Sequence, residues 1–228
     1  MTSSPNPSPA DLRPDGKGAG FVLVACSALT FVLLANHPSG AARTFADMVR
    51  EEAGNAGRDA FVHGTFIGVL AGQIACLAIM TIRLGLNRPL GIAGLVLTAI
   101  GASFMTASML LDGLVTPAVA ARYVGALDVA ERQNDAKALF VLLGATLSFL
   151  MPAGLLFQGA GLACWSAVFA RGVGHVRAIG VYGALVAIAN IASVAATGAK
   201  PPHVLTATIV LLAVAYALMG VALLRRCL

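Results

Sequence analysis

Residues Val204–Leu224 read VLTATIVLLAVAYALMGVALL, without one Asp, Glu, Lys or Arg. A bilayer's hydrocarbon core is about 30 Å thick, and a helix rises about 1.5 Å per residue, so about 20 apolar residues cross it. Pro201-Pro202 leads into this stretch and Arg225-Arg226 closes it, as expected of a span whose ends meet water. Five further stretches of the same character precede it: Gly20–Asn36, Phe61–Ile82, Leu90–Leu111, Ala138–Ala170 and Ile179–Thr197. The chain therefore reads as an all-α, polytopic membrane helix bundle of six transmembrane helices. Ala138–Ala170 is too long for one straight crossing and carries Pro152 near its middle. Proline removes a backbone donor and kinks a helix, so one kinked, tilted helix is the preferred reading and a helix plus a re-entrant segment the alternative.

The bulk numbers agree. Hydrophobic residues make up 58% of the 228, charged residues only 11%, and the mean hydropathy is +0.87. Soluble domains carry about 25% charged residues. Six spans and their loops use the whole length, leaving one transmembrane domain, residues 20–228, after a Pro- and Ser-rich tail, residues 1–19, expected to be disordered and cytoplasmic. The formal charge of +5 is scattered over loops and tails, with no basic run, so it sets topology rather than binding nucleic acid. Cys26, Cys76, Cys164 and Cys227 form no CxxC pair and read as small apolar side chains.

Six crossings place both termini on one side. That side collects Arg13, Lys17, Arg83, Arg88, Arg171, Arg177, Arg225 and Arg226 against Asp11 and Asp15. The other side holds seven basic and eight acidic residues. The positive-inside rule counts Lys and Arg near span ends, and the basic residues crowding the short loops favour cytoplasmic termini in a bacterial inner membrane. The two long loops then lie outside. Ser39–Ala53 reads as an amphipathic helix capped by Ser39, with Ala41, Phe45, Met48, Val49 and Ala53 on one face. Pro117–Lys137 is a second candidate, and both would lie in the interface.

Topology gathers chemistry at that outer face. His37 ends the first span, His63 begins the second, Asp112 ends the third and His203 begins the sixth. Imidazole and carboxylate together suit zinc, copper, nickel or iron, so His37, His63, His203 and Asp112 are the candidate metal ligands. Histidines solvated at a membrane edge are the plainer reading, and no HExxH-type spacing exists. Behind Asp112, Ser108, Met105, Gly101 and Thr98 lie within about 40° of its direction, a polar and small seam descending into the membrane. Asp112-Gly113 also reads as a simple helix end. Ser108 and Asn190 join His37, His63 and Asp112 as candidate ligand-binding residues, although amides such as Gln73 and Asn190 more often cross-link helices. Gly64, Gly68 and Gly72 repeat every fourth residue, a face that lets a neighbouring backbone approach. There is no GxxxxGK[ST] loop, no GxSxG elbow, and no charge in the middle of any span, which argues against a nucleotidase, an α/β-hydrolase and a voltage sensor.

The order His37-Pro38, polar loop, His63, then LLDGLVTPAVAARY over Leu110–Tyr123 resembles a loose group of uncharacterised bacterial integral membrane proteins. That group shows a His-Pro after the first span, a His opening the second, and Asp-small-x-x-x-Pro after the third. The resemblance covers about half of the chain, carries onto His37, His63, Asp112 and Pro117, leaves His203 outside, and implies a shared site without an activity. Three functions follow as expectations. One is binding or transport of a small ligand or ion through the outer His/Asp pocket. The others are a non-catalytic subunit or assembly factor, working as a homo-oligomer or with a membrane partner, and a metal- or haem-dependent membrane enzyme. The lipid bilayer is the partner common to all three.

Overall fold

The structure, a computed structural model, describes residues 16–37, 42–198 and 202–225. Among them it is all helical, with six helices long and apolar enough to cross a membrane. The helices are α1 (Gly16–Ala35), α2 (Phe45–Leu84), α3 (Pro89–Leu110), α4 (Thr116–Tyr123), α5 (Ala130–Phe169), α6 (Gly174–Thr197) and α7 (Pro202–Leu224), with a π turn at Leu111–Val115 and a 3-10 turn at Val124–Ala126. Of the tail expected to be disordered, residues 1–15 lie outside the described residues, and α1 begins at Gly16, four residues ahead of the expected span.

The spans pack as a closed ring. Each lies against its neighbour in the chain, α3 pairs with α5 across the short α4, and α7 returns to α1. Small residues make the tightest seams: Gly20 and Gly220 each face the other's carbonyl across α1 and α7, and Gly101 meets Gly154 across α3 and α5. The expected Gly64-Gly68-Gly72 face does not do this. Nothing lies within 4 Å of where a Cβ would stand at Gly64 or Gly68, and only Gly72 meets a neighbour, Cys26 of α1. These two glycines point away from the ring because His63, Phe66 and Gln73 take the inward face.

Both long loops were expected to form separate interfacial helices, and here the structure differs. α2 runs unbroken from Phe45, so most of Ser39–Ala53 is its first turns. Ser39 lies outside the described residues. The cap is Thr44, whose hydroxyl accepts the Asp47 amide at 3.1 Å, with Asp47 suiting the helix's positive end. Gly54-Asn55-Ala56-Gly57 looks like a break in sequence. Glycine costs only about 1 kcal/mol in a helix, and no proline stands between Phe45 and Leu84 to stop the ladder. Likewise Ala130–Lys137 opens α5, leaving only α4 as a separate short helix. α5 passes through Pro152 as one helix, so the re-entrant alternative falls away.

Forty residues make α2 and α5 each about 60 Å long, twice the hydrocarbon thickness. In α2 the crossing is Phe61–Ile82, and Phe45–Ala60 stands beyond it. The start of α5 and α4 overshoot at the same end, where Phe45 and Phe140 pack edge to face at 5.6 Å and Val49 is fully buried. The result is a collar around the mouth of the bundle, at the end where His37, His63 and Asp112 lie.

Candidate functional site

Three elements converge inside the collar. His37 follows α1, whose end is tied down by Arg58 of α2: both Nε and one terminal nitrogen donate to the Asn36 carbonyl, at 3.2 and 2.8 Å. His63 lies on α2 and is 2% exposed. Asp112 comes from the π turn that continues α3. That turn has a local cause. Pro117 has no amide hydrogen for the Gly113 carbonyl, so the helical ladder slips: the Thr116 amide and hydroxyl both donate to the Leu111 carbonyl, the hydroxyl at 2.9 Å. The extra residue swings Asp112 toward α2. Gly113 then rests directly on the His63 ring, in a space that no Cβ would fit.

The contacts are short and directional. His63 Nε2 lies 3.3 Å from His37 Nε2 and 3.2 Å from Asp112 Oδ2, and the two rings meet edge to face. His63 Nδ1 is 2.9 Å from the Asp59 carbonyl. A carbonyl only accepts, so Nδ1 carries a hydrogen and donates it. In a neutral ring Nε2 is then a bare lone pair. It faces a carboxylate, which also only accepts. Two lone pairs at 3.2 Å repel unless a positive body lies between them: a proton, making an imidazolium–carboxylate pair, or a metal ion.

The spacing fits an ion. Ligands at about 2.0–2.1 Å from a tetrahedral zinc stand about 3.3–3.4 Å apart, close to both observed separations. His37, His63 and Asp112 each offer one donor atom, all within 4.8 Å of one another. Two bonds of that length reach about 4.1 Å at most, so the widest edge must close a little. His37 is exposed and Asp112 partly exposed, so both side chains have room to close. The Asp59 carbonyl on Nδ1 is the outer-sphere contact that orients a metal-binding imidazole.

Two acids missed in the sequence stand above this centre. Glu52, Asp59 and His63 follow one another at seven and four residues on α2, so they share a face. Burial first, then the Asp59 and Asp112 charges, push the Glu52 carboxyl up to about 7. Burial also raises Asp59. The seven-then-four spacing was the available signal. The sequence reading hides it, because it ends one helix at Ala53 and begins the next at Phe61, leaving Asp59 between two separate elements.

The other expected site residues lie elsewhere. His203, taken as a fourth metal ligand, is not part of the cluster: it lines a groove between α6 and α7 together with Asn190. The start of α7 packs on α1 and α6, and α1 separates it from α2. Asn190 cross-links helices, its amide nitrogen donating to the Leu155 carbonyl at 3.0 Å. Ser108 is buried one turn below Asp112, and Met105, Gly101 and Thr98 are buried with it, so the seam does face inward. Comparison with protein-family models, with curated proteins and with solved structures yields no match.

Proposed function

We propose that this is an inner-membrane protein that binds a transition-metal ion of the zinc or copper type at an outer-facing rim of His37, His63 and Asp112, for ion binding or transport. One observation carries this reading: the His63 Nε2 lone pair, fixed by the Asp59 carbonyl, points between two further donors at 3.3 and 3.2 Å. A proton can be shared by two of these groups, whereas an ion engages all three. A haem is a poorer fit, since axial imidazoles stand on opposite faces of a macrocycle and these two nitrogens meet with no slot between them. The orientation belongs to the proposal: the short loops bearing Arg83, Arg88, Arg171 and Arg177 face the cytoplasm with both termini. Membership of the bacterial group resembled above is proposed on the same residues, because its pattern positions His37, His63 and Asp112 are the ones that converge and Pro117 shapes the turn that presents Asp112.

Titration of the purified protein with Co(II), followed by its visible absorption, tests the reading. One equivalent should give the intense bands of a four-coordinate site, and zinc should displace it. His63→Ala and Asp112→Asn should each weaken binding at least tenfold. Equal affinity in all three proteins refutes it.

A metal-dependent enzyme is the second reading, favoured by two features. Three protein donors leave a fourth position open for water. A carboxyl that titrates near neutrality, Glu52, stands on the same helix face.

A further inference from the structure

A chamber of about 40 Å³ lies inside the ring, deeper than the His/Asp centre. It has room for one or two waters or a single dehydrated ion. Thr30 of α1, Gln73 of α2, Gln158 of α5 and Tyr216 of α7 all line it. Gln73 is 6% exposed, Gln158 5% and Tyr216 2%. Neither glutamine amide has a hydrogen-bond partner among the described residues, and the Tyr216 hydroxyl, which faces Thr98, makes no hydrogen bond of acceptable geometry. Buried polar groups are almost always paired, and an unpaired one costs about 1–3 kcal/mol. The Tyr216 hydroxyl is such a group, and the two glutamine side chains from α2 and α5 line the same space, which suits a polar occupant.

The remaining donors narrow its chemistry. Met105 and Met109 stand one turn apart on α3, and both line the chamber. Toward the other end, Cys26 lies one turn from Thr30 on α1 with its Sγ against Gly72 of α2, and Cys76 follows one turn beyond Gly72. Met80, fully buried, comes one turn later. Soft donors thus continue down the bundle from the imidazoles at the rim. No charged side chain lines the chamber. A divalent ion there would keep its whole charge in a low dielectric, whereas a monovalent one costs far less. Thioethers select Cu(I) and its congener Ag(I), while imidazole with carboxylate suits zinc, copper, nickel and iron. Copper is the element common to both donor sets.

We infer that the chamber is a second metal site, taking one soft monovalent ion of the Cu(I)/Ag(I) class through the Met105 and Met109 thioethers and the Gln73 and Gln158 amide oxygens. This deepens the metal-handling function and rests on it: the ion reaches the chamber already monovalent, so no change of oxidation state at the rim is part of the inference.

Silver(I), which needs no reductant, is the probe. The full chain is labelled with carbon-13 at the methionine methyl groups, and silver nitrate is titrated in detergent micelles while the methyl resonances are followed. Met105→Leu and Met109→Leu assign their two signals, and both changes conserve volume. Both signals should shift and saturate near one equivalent, with Met48 and Met219 unmoved. The same shifts should persist in the His37→Ala/His63→Ala variant, which separates this site from the rim. Unshifted Met105 and Met109 signals would overturn the inference. So would shifts that vanish in the double-histidine variant, because silver would then reside at the rim alone.

Discussion

A methyl group added at Gly113 has no space to occupy. The Cβ of alanine would sit about 1 Å or more inside ordinary contact distance of His63 Cβ, Cγ and Nδ1. Backbone lies behind one and a packed helix behind the other, so relief must come from moving the π turn away from α2. A shift of about 1 Å takes the His63–Asp112 separation from 3.2 Å to about 4 Å, the limit of what one ion spans with bonds of about 2.0–2.1 Å. Overpacking of this kind costs about 1–3 kcal/mol. At about 2–4 °C per kcal/mol for a chain of this size, the melting temperature of Gly113→Ala should fall by several degrees. Metal affinity should fall at least tenfold in the Co(II) titration. Gly64→Ala is the matched control, one residue beyond His63 with nothing within 4 Å of its new methyl. It should gain about 0.5–1 kcal/mol from helix propensity and bind metal as before. If Gly113→Ala binds cobalt like the parent and melts no lower than Gly64→Ala, the account of how Asp112 is presented to His63 is wrong.

Three more outcomes are expected. Asp112→Asn keeps shape and removes charge, so expression and fold should survive while metal affinity drops at least tenfold; Asp112→Leu should also lose stability, seen as a lower melting temperature, because His63 forfeits its partner. The Glu52 carboxyl binds its proton more tightly folded than unfolded, 4.5 rising to about 7, so stability should decline as pH climbs through that window and level off above it; Glu52→Gln should flatten this slope in melting curves taken between pH 4.5 and 8, and an unchanged slope would clear Glu52 of the effect. A cysteine introduced at Gly54, on the part of α2 beyond the crossing, should react in intact cells with a membrane-impermeant maleimide; labelling only after the cytoplasmic face is opened would reverse the orientation.

Spans were legible because hydrocarbon thickness imposes a length and a composition that few other structures need. The His37–His63–Asp112 grouping was legible because alternation of crossings sends those three span ends to one side. What alternation does not give is lateral order, so His203 looked like a fourth member although α7 starts on the far side of α1. The helix read to end at Ala53 instead continues through Gly54 and Gly57 into the span, because no proline breaks the ladder and α2 packs against α4. Gln73 was visible as one more cross-linking amide. Its convergence with Gln158 and Tyr216 depends on how three helices rotate about their axes, and α5 and α7 carry too uniform an apolar pattern to reveal that.

The contact between Gly20 and Gly220 also bears on how the protein is assembled. Spans enter a membrane in the order in which they are synthesised, and α1 must wait through five further crossings for the face that α7 will cover. Until then Thr30 and Gln73 border an open-sided cleft rather than a chamber, exposed to lipid or to the insertion machinery. The last span is a keystone: the polar interior comes into being only when it arrives. A ring left open by slow or failed insertion of α7 would offer its bare α1 seam to the α7 of a second copy, so exchange of this one helix is the characteristic assembly error that the architecture invites.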